Sequence, residues 1–415
     1  MAWPTRKLGE LADICRGSSP RPICDNRYFD GGTIPWIKIA DATKSGKFLY
    51  ETKEHVNDYG ASFSRKLPPG TILVAASGTL GYTQILGVEG CAHDGWLILQ
   101  GLRNLDRDFA YYALKTVERH FYNSGSGAAI QNINTDILRQ TQIPYPPIQI
   151  QRRIAEILSA YDDLIENNRK RIAILDEMAR RLYREWFVHF RYPGHESVPL
   201  VDSPLGRIPQ GWETRTIGSL CDRVTDGAHV SPKSVEVGLP MASSKDMHAY
   251  GLDLSTARHI AAADFEKLER QGCRPLKHDI LVTKDGANYC KNVFVYMKNE
   301  QIVLLSSVAI LRPQRATSPF YLAEALKSEG IKSRLKLRVS GAAIPRIILA
   351  DFKQFEIPYP SLALIKEWDA QIAPNTALCV NLVDQNEVLR RTRDLLLPRL
   401  MSGRLSVTAA EAAVP

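Results

Sequence analysis

Ser126-Gly127-Ala128-Ala129-Ile130, running on to Ile143-Pro144-Tyr145-Pro146, is written a second time as Ser340-Gly341-Ala342-Ala343-Ile344, running on to Ile357-Pro358-Tyr359-Pro360. Every position of the second copy lies 214 residues after its counterpart, with no gap between the blocks. A period of half the chain predicts a duplicated module. A solenoid would instead repeat every 20–50 residues, roughly.

Outside these blocks the same scaffold recurs. Trp212, Ile217, Gly218 and Leu220 repeat Trp3, Leu8, Gly9 and Leu11. Leu239-Pro240 and Asp246 repeat Ile34-Pro35 and Asp41, and Ile280-Leu281-Val282 with Gly286 repeats Ile72-Leu73-Val74 with Gly78. Short apolar, β-branched runs such as 34–39, 71–76 and 96–99 predict buried strands, and 109–119 has helical periodicity. The loops between these runs diverge, so one mixed α/β fold presents two different surfaces.

Each copy opens a long helical stretch. Tyr161, Ile165, Asn168, Ile172, Leu175, Ala179, Leu182 and Trp186 fall at alternating steps of four and three, the seam of a coiled coil. A polar residue on the seam, here Asn168, tends to fix register. The second seam reads Cys379, Leu382, Asn386, Leu389, Arg393, Leu396 and Leu400. Pro374 is expected to kink or break this helix, so that its continuous part starts after it. A Pro- and Gly-dense connector, 192–212, separates the halves. The expected domains are 1–146, a helical spacer 147–195, 196–357, a second spacer 358–407, and a frayed Ala-rich tail 408–415.

At 415 residues, with 44% hydrophobic and 24% charged residues, the composition is that of a globular protein with more than one core. The net charge of +8 points towards a polyanionic partner without proving one. The start of the chain leads into no apolar run and no stretch has the length of a membrane helix, so a cytoplasmic protein is expected. Seven scattered cysteines form no Cys-x-x-Cys pair, which supports neither a disulfide framework nor a zinc site.

Catalytic signatures are missing. There is no phosphate loop, dinucleotide fingerprint, nucleophile elbow or His-Glu-x-x-His pattern. His93-Asp94 is a tempting acid–base pair, but its counterpart in the second half is Leu305-Ser306, which favours a surface or capping role. The repeated residues are Gly, Pro and aliphatics, which build scaffold and carry no chemistry.

Several segments together resemble the specificity subunits of type I restriction–modification systems. They are Ile143-Pro144-Tyr145-Pro146-Pro147 followed by 151–158, Arg184-Glu185-Trp186-Phe187, the connector 203–212, and the ending 395–405. Where the family usually has Glu-Gln, this chain has Ile150-Gln151 and Leu364-Ile365. The resemblance implies two target recognition domains joined by two long antiparallel coiled-coil helices in a pseudo-twofold arrangement. It implies that the chain reads a bipartite asymmetric site on double-stranded DNA and docks two methyltransferase subunits, with two restriction subunits in the complete enzyme. The chain itself would be non-catalytic and hold no cofactor or metal. S-adenosylmethionine would sit on the methyltransferases, and ATP and Mg on the restriction subunits. A continuous helix over 161–187 would span about 40 Å at 1.5 Å per residue, which predicts half-sites about one duplex turn apart.

DNA contacts are expected from loops, since phosphate contacts position and base contacts specify. In the first half the candidates are Ser18, Arg21, Lys38, Lys44, Ser77, Thr79 and Tyr82. In the second they are Asp226, His229, Ser231, Lys233, Lys245, Lys284, Asn288 and Arg338. Lys332, Arg334, Lys336 and Arg338 alternate, so on a strand they would form one phosphate-binding stripe. Core packing is the competing role for Trp36 and Tyr82. Three alternatives compete with the main reading: a specificity subunit of another DNA modification or defence system, an autonomous nuclease or deaminase, and a protein-binding scaffold without DNA readout. Cleavage by the isolated chain would mark an enzyme, and binding indifferent to DNA sequence would mark a scaffold.

Overall fold

The computed structural model describes residues 3–43, 45–123, 132–285, 290–337 and 347–411. Ser126–Ile130 and Ser340–Ile344, the first halves of the repeated blocks, lie outside the described residues. The chain forms two compact units. The first comprises Met1–Asn167 with Gln385–Pro415, and the second Asn168–Asp384.

The first unit is built on a five-stranded sheet in the order Asp13–Arg16, Trp96–Gln100, Ile72–Ala75, Thr83–Leu86, Phe48–Leu49. Alternation along its central strands decides the layering. Ile72, Val74, Leu97 and Leu99 face one core with the Arg107–Asn123 helix. Leu73, Ala75, Trp96 and Ile98 face another. Strands buried on both faces read as continuous apolar runs, as Ile72-Leu73-Val74-Ala75 does. A second sheet runs Glu54–Val56, Ile34–Ile37, Gly90–Ala92, Arg65–Leu67, with Trp36 paired in parallel to Cys91.

The second unit repeats the plan. Cys221–Asp226, Val308–Pro313, Ile280–Thr283 and Val293–Val295 form the main sheet. Ile280 and Val282 face one core and Leu281 the other. Arg258–Ile260, Leu239–Ala242 and Val303–Leu304 form the smaller sheet, again with a parallel pair, Met241 to Val303. The second half of each repeated block closes its unit as an edge strand. Pro144 pairs with Thr5 in the first unit, and Pro358 with Thr214 in the second.

Helices Ile148–Tyr183 and Leu362–Met401 follow these strands. Pro147 stands just before the first and supplies the carbonyl that accepts from the Ile150 and Gln151 amides. Gln151 is fully buried, accepts from the Asp106 amide at 2.9 Å and donates to the Pro146 carbonyl at 2.9 Å, so it clamps the helix start to its own unit. In the first unit Arg393, late in one helix, pairs with Asp162, early in the other. In the second, Tyr183 and Phe187 pack on Trp368, with ring centroids 5.9 and 5.1 Å apart. Early meets late in both units, so the helices pair antiparallel. The seam is buried as its spacing requires. Tyr161, Ile165, Asn168, Trp186, Cys379, Leu382, Asn386 and Leu400 are buried, and Ile172, Leu175, Leu182, Leu389 and Leu396 pack partly buried against the cores.

Three expectations are corrected. The helix does not start after Pro374: it is continuous from Leu362 to Met401. Ala370 and Pro374 are exposed, so water can serve the Ala370 carbonyl that proline deprives of its donor, while Trp368 and Ile372 hold the helix on the core. The tail is not frayed throughout, because Val407–Glu411 is helical and Val407 and Ala410 are buried in the first unit's core. Lys332, Arg334 and Lys336 lie on a helix, Glu329–Lys336, and form no strand-face stripe. Residues two apart on a helix diverge by roughly 200°; the buried Ile331 and Leu335, four apart, set the helical period.

Candidate nucleic-acid interface

In both units the first strand of the main sheet ends in a glycine that crosses the backbone of the opposite loop. A Cβ on Gly17 would lie 2.2 Å from the His93 carbonyl oxygen, and one on Gly227 would lie 2.2 Å from that of Leu304. Only glycine permits so close an approach. The next amide seals each crossing, from Ser18 to the Ala92 carbonyl at 3.2 Å and from Ala228 to the Leu304 carbonyl at 2.7 Å. A second tie recurs beside it. The Ala76 amide donates to Gly95 and the Lys284 amide to Ser307, while Ile133 and Ile347 donate to the Ala76 and Lys284 carbonyls. Each fold therefore gathers the same loops at one sheet end, and those loops carry different side chains.

In the first unit this end holds a cluster of polar groups. The Arg21 guanidinium, largely exposed, pairs with Asp94. Arg16 Nε donates to the Asp94 carbonyl at 2.6 Å, and the Asp94 amide donates to Ser19 Oγ at 3.1 Å. His93 stands edge-on to Trp36, with ring centroids 5.8 Å apart, and its Nδ1 accepts from the Gly95 amide at 2.9 Å. Burial, assisted by the positive charges of Lys38, Arg21 and Arg16, holds the His93 pKa below the ordinary range against the opposing pull of Asp94. A neutral ring with a proton-accepting Nδ1 caps a turn, in keeping with the role expected for it. Lys38 pairs with Glu54 at 2.6 Å and remains part-exposed. Ser77 and Thr79 flank the exposed Gly78 on the turn that starts from Ala76. Trp36 and Tyr82 are packing residues. Trp36 is fully buried, and the Tyr82 hydroxyl donates to the Ala42 carbonyl at 3.0 Å. Lys44 lies outside the described residues.

In the second unit the equivalent end is built on an ion pair. Lys284 Nζ lies 2.6 Å from Asp226 Oδ2, with side chains 9% and 8% exposed. The other oxygen, Asp226 Oδ1, lies 3.1 Å from His229 Nε2, whose side chain is 74% exposed. Asp226 and Lys284 are thus not surface contacts; they fix the loop from below, and His229 is the group presented. Ser231, Lys233 and Lys245 are exposed. Asn288 and Arg338 lie outside the described residues.

Arg16 and Asp94, which are not among the contacts expected from the sequence, belong to this cluster. The alignment of Gly17 with Gly227 was the available signal, since a glycine that crosses a loop names the loop it crosses. Among the described residues no group of His, Cys, Asp or Glu is placed to hold a metal ion, and no helix is long and apolar enough to cross a membrane.

Residues 2–177 match the family model described as the type I restriction modification DNA specificity domain. The type I restriction enzyme MjaIX specificity subunit of Methanocaldococcus jannaschii is 24% identical over 98% of this chain and 94% of its own length. The EcoBI specificity subunit of Escherichia coli is 20% identical over 87% of this chain and 76% of its own. The crystal structure of a type I restriction–modification S subunit from M. genitalium shares the fold, with a TM-score of 0.57 at 19% identity, covering 96% of each chain. With two copies of one α/β fold and two antiparallel helices, the chain is similar along nearly its full length to type I restriction–modification specificity subunits, and its first 177 residues match their DNA specificity domain from residue 2.

Proposed function

We propose that the chain is the DNA-reading, non-catalytic subunit of a type I methyltransferase and endonuclease, and that each unit reads one half of a split, asymmetric site. The observation that carries this reading is the pair of glycine crossings. The same backbone device gathers the same loops in both units, while the side chains there differ: Arg16, Arg21, His93 and Asp94 in one, Asp226, His229 and Lys284 in the other. A repeated frame with unlike polar tips suits a reader of two unlike half-sites.

Roles follow from exposure. In the first half Arg21, Lys38, Ser18, Ser77 and Thr79 are offered as contacts. In the second, His229, Ser231, Lys233 and Lys245 are contacts, and Asp226 with Lys284 positions His229. The long helices dock two methyltransferase subunits, which bring S-adenosylmethionine. Restriction subunits would supply ATP- and Mg-dependent cleavage. Selection from random duplexes by the complex with its methyltransferase tests the reading. Two short blocks around an indifferent spacer are expected, with affinity falling steeply as salt rises. Binding without sequence preference would instead support a protein-binding scaffold.

A further inference from the structure

The second unit carries a cleft of about 650 Å³ where helix Ile148–Tyr183 ends, walled by the Glu329–Lys336 helix and the Lys291–Val293 segment. The helix leaves the cleft through a π turn, Arg184–Val188. Such turns interrupt regular helix hydrogen bonding and often mark functional positions.

The lining is unbalanced in charge. Arg180, Arg184, Lys291, Lys327, Lys332 and Arg334 face three carboxylates, Asp176, Glu324 and Glu329. All three carboxylates are already engaged. Asp176 pairs with Arg180 at 2.7 Å, Glu324 with Lys327 at 2.6 Å, and Glu329 with Lys332 at 3.4 Å. Arg184 and Lys291 are exposed, and no carboxylate of the cleft pairs with either, although Glu177 outside the cleft attracts Arg184. Apolar surface lies between the charges: Phe187, Val188 and Phe190 line the same cleft, and Val188 is half exposed.

This combination selects among anions. A DNA duplex is too wide to enter a 650 Å³ recess, and a phosphate backbone gains nothing from Val188 and Phe187. A free nucleotide would need an open ring face to stack on. The Phe187 ring is engaged with Tyr321 at 4.9 Å and Trp368 at 5.1 Å, and Phe190 with Trp212 at 5.3 Å. The remaining occupant is a short peptide whose carboxylates meet Arg184, Lys291 and Lys332 and whose apolar side chains meet Val188. Recognition of acidic segments by clustered cations is a recurring mode.

We infer that this cleft is a docking site for an acidic, apolar-containing segment of the methyltransferase subunit. The inference rests on the proposed function, in which that subunit is the partner. It is tested in the complex assembled from the full chain and its methyltransferase. A benzoylphenylalanine photo-crosslinker at Lys291 is expected to label a methyltransferase peptide carrying several Asp or Glu residues. The charge-reversed chain, Arg184→Glu with Lys291→Glu and Lys332→Glu, is expected to bind the methyltransferase at least tenfold more weakly. Lys267→Glu, exposed on the Ala262–Arg270 helix and outside both the cleft and the long helices, should leave affinity unchanged. Crosslinking to DNA alone, to a non-acidic peptide or to nothing would overturn the inference, as would equal affinity of the charge-reversed chain. Failure of the wild-type chain to bind any methyltransferase would instead count against the proposed function.

Discussion

Lys284 Nζ and Asp226 Oδ2 lie 2.6 Å apart, both side chains more than nine-tenths buried, and the residues are 58 positions apart in the chain. Removing one partner of such a pair leaves an uncompensated buried charge. Lys284→Met is therefore expected to lower stability by about 3–5 kcal/mol. The double variant Asp226→Asn with Lys284→Met should recover most of that loss, since removing both charges together is often near neutral. Urea unfolding of the three chains measures it.

The aromatic junction around Trp368 should be the most sensitive packing site in the second unit. Trp368 is fully buried and meets Tyr183, Trp186 and Phe187 with ring centroids 5.1–6.2 Å apart. Trp368→Ala is expected to cost about 3–5 kcal/mol. Phe187 packs in the same junction, so the two effects should combine non-additively in a double-mutant cycle.

His93 gives the first unit an acid sensitivity. Its folded pKa is held below the ordinary 6.5, chiefly by burial. Below that pH the unfolded chain takes up a proton that the folded chain resists. The stabilisation is complete above about 6.5 and declines as pH falls towards the folded value. The loss of urea midpoint between pH 7.5 and 5.5 is expected to be smaller in His93→Gln than in the wild type. An unchanged pH dependence would remove His93 from the account.

The glycine crossings should separate the two half-sites. Gly227→Ala places a Cβ 2.2 Å from a backbone oxygen, so the loop must move, at an expected cost of about 1–3 kcal/mol. Gly17→Ala does the same in the first unit. Each variant is expected to weaken base preference in one block of the DNA site and leave the other block as it was. Competition binding with half-site-substituted duplexes reads the difference.

Much of this architecture was legible because it rests on local pattern. Apolar runs such as Ile72–Ala75 gave the strands, alternating steps of four and three gave the seam, and the exact repeat gave the duplication. What failed was pattern read without its buried partners. The alternating Lys332, Arg334 and Lys336 suggested a strand, but Ile331 and Leu335 decide for a helix. Pro374 was read by its intrinsic cost, which tertiary packing of Trp368 and Ile372 overrides. Asp226 and Lys284, expected as surface contacts, are buried, because nothing local reveals that their charges meet. Arg21 and Asp94, 73 positions apart, were linked only by the fold.

The claim that each unit reads its own half-site is tested most directly by mapping the adenines methylated by the reconstituted complex, with the wild-type chain and with His229→Ala. The account predicts a split motif for the wild type, and for the variant the same spacer and one unchanged block, with relaxed preference confined to the other. A single uninterrupted motif, or a variant that alters both blocks alike, would contradict it.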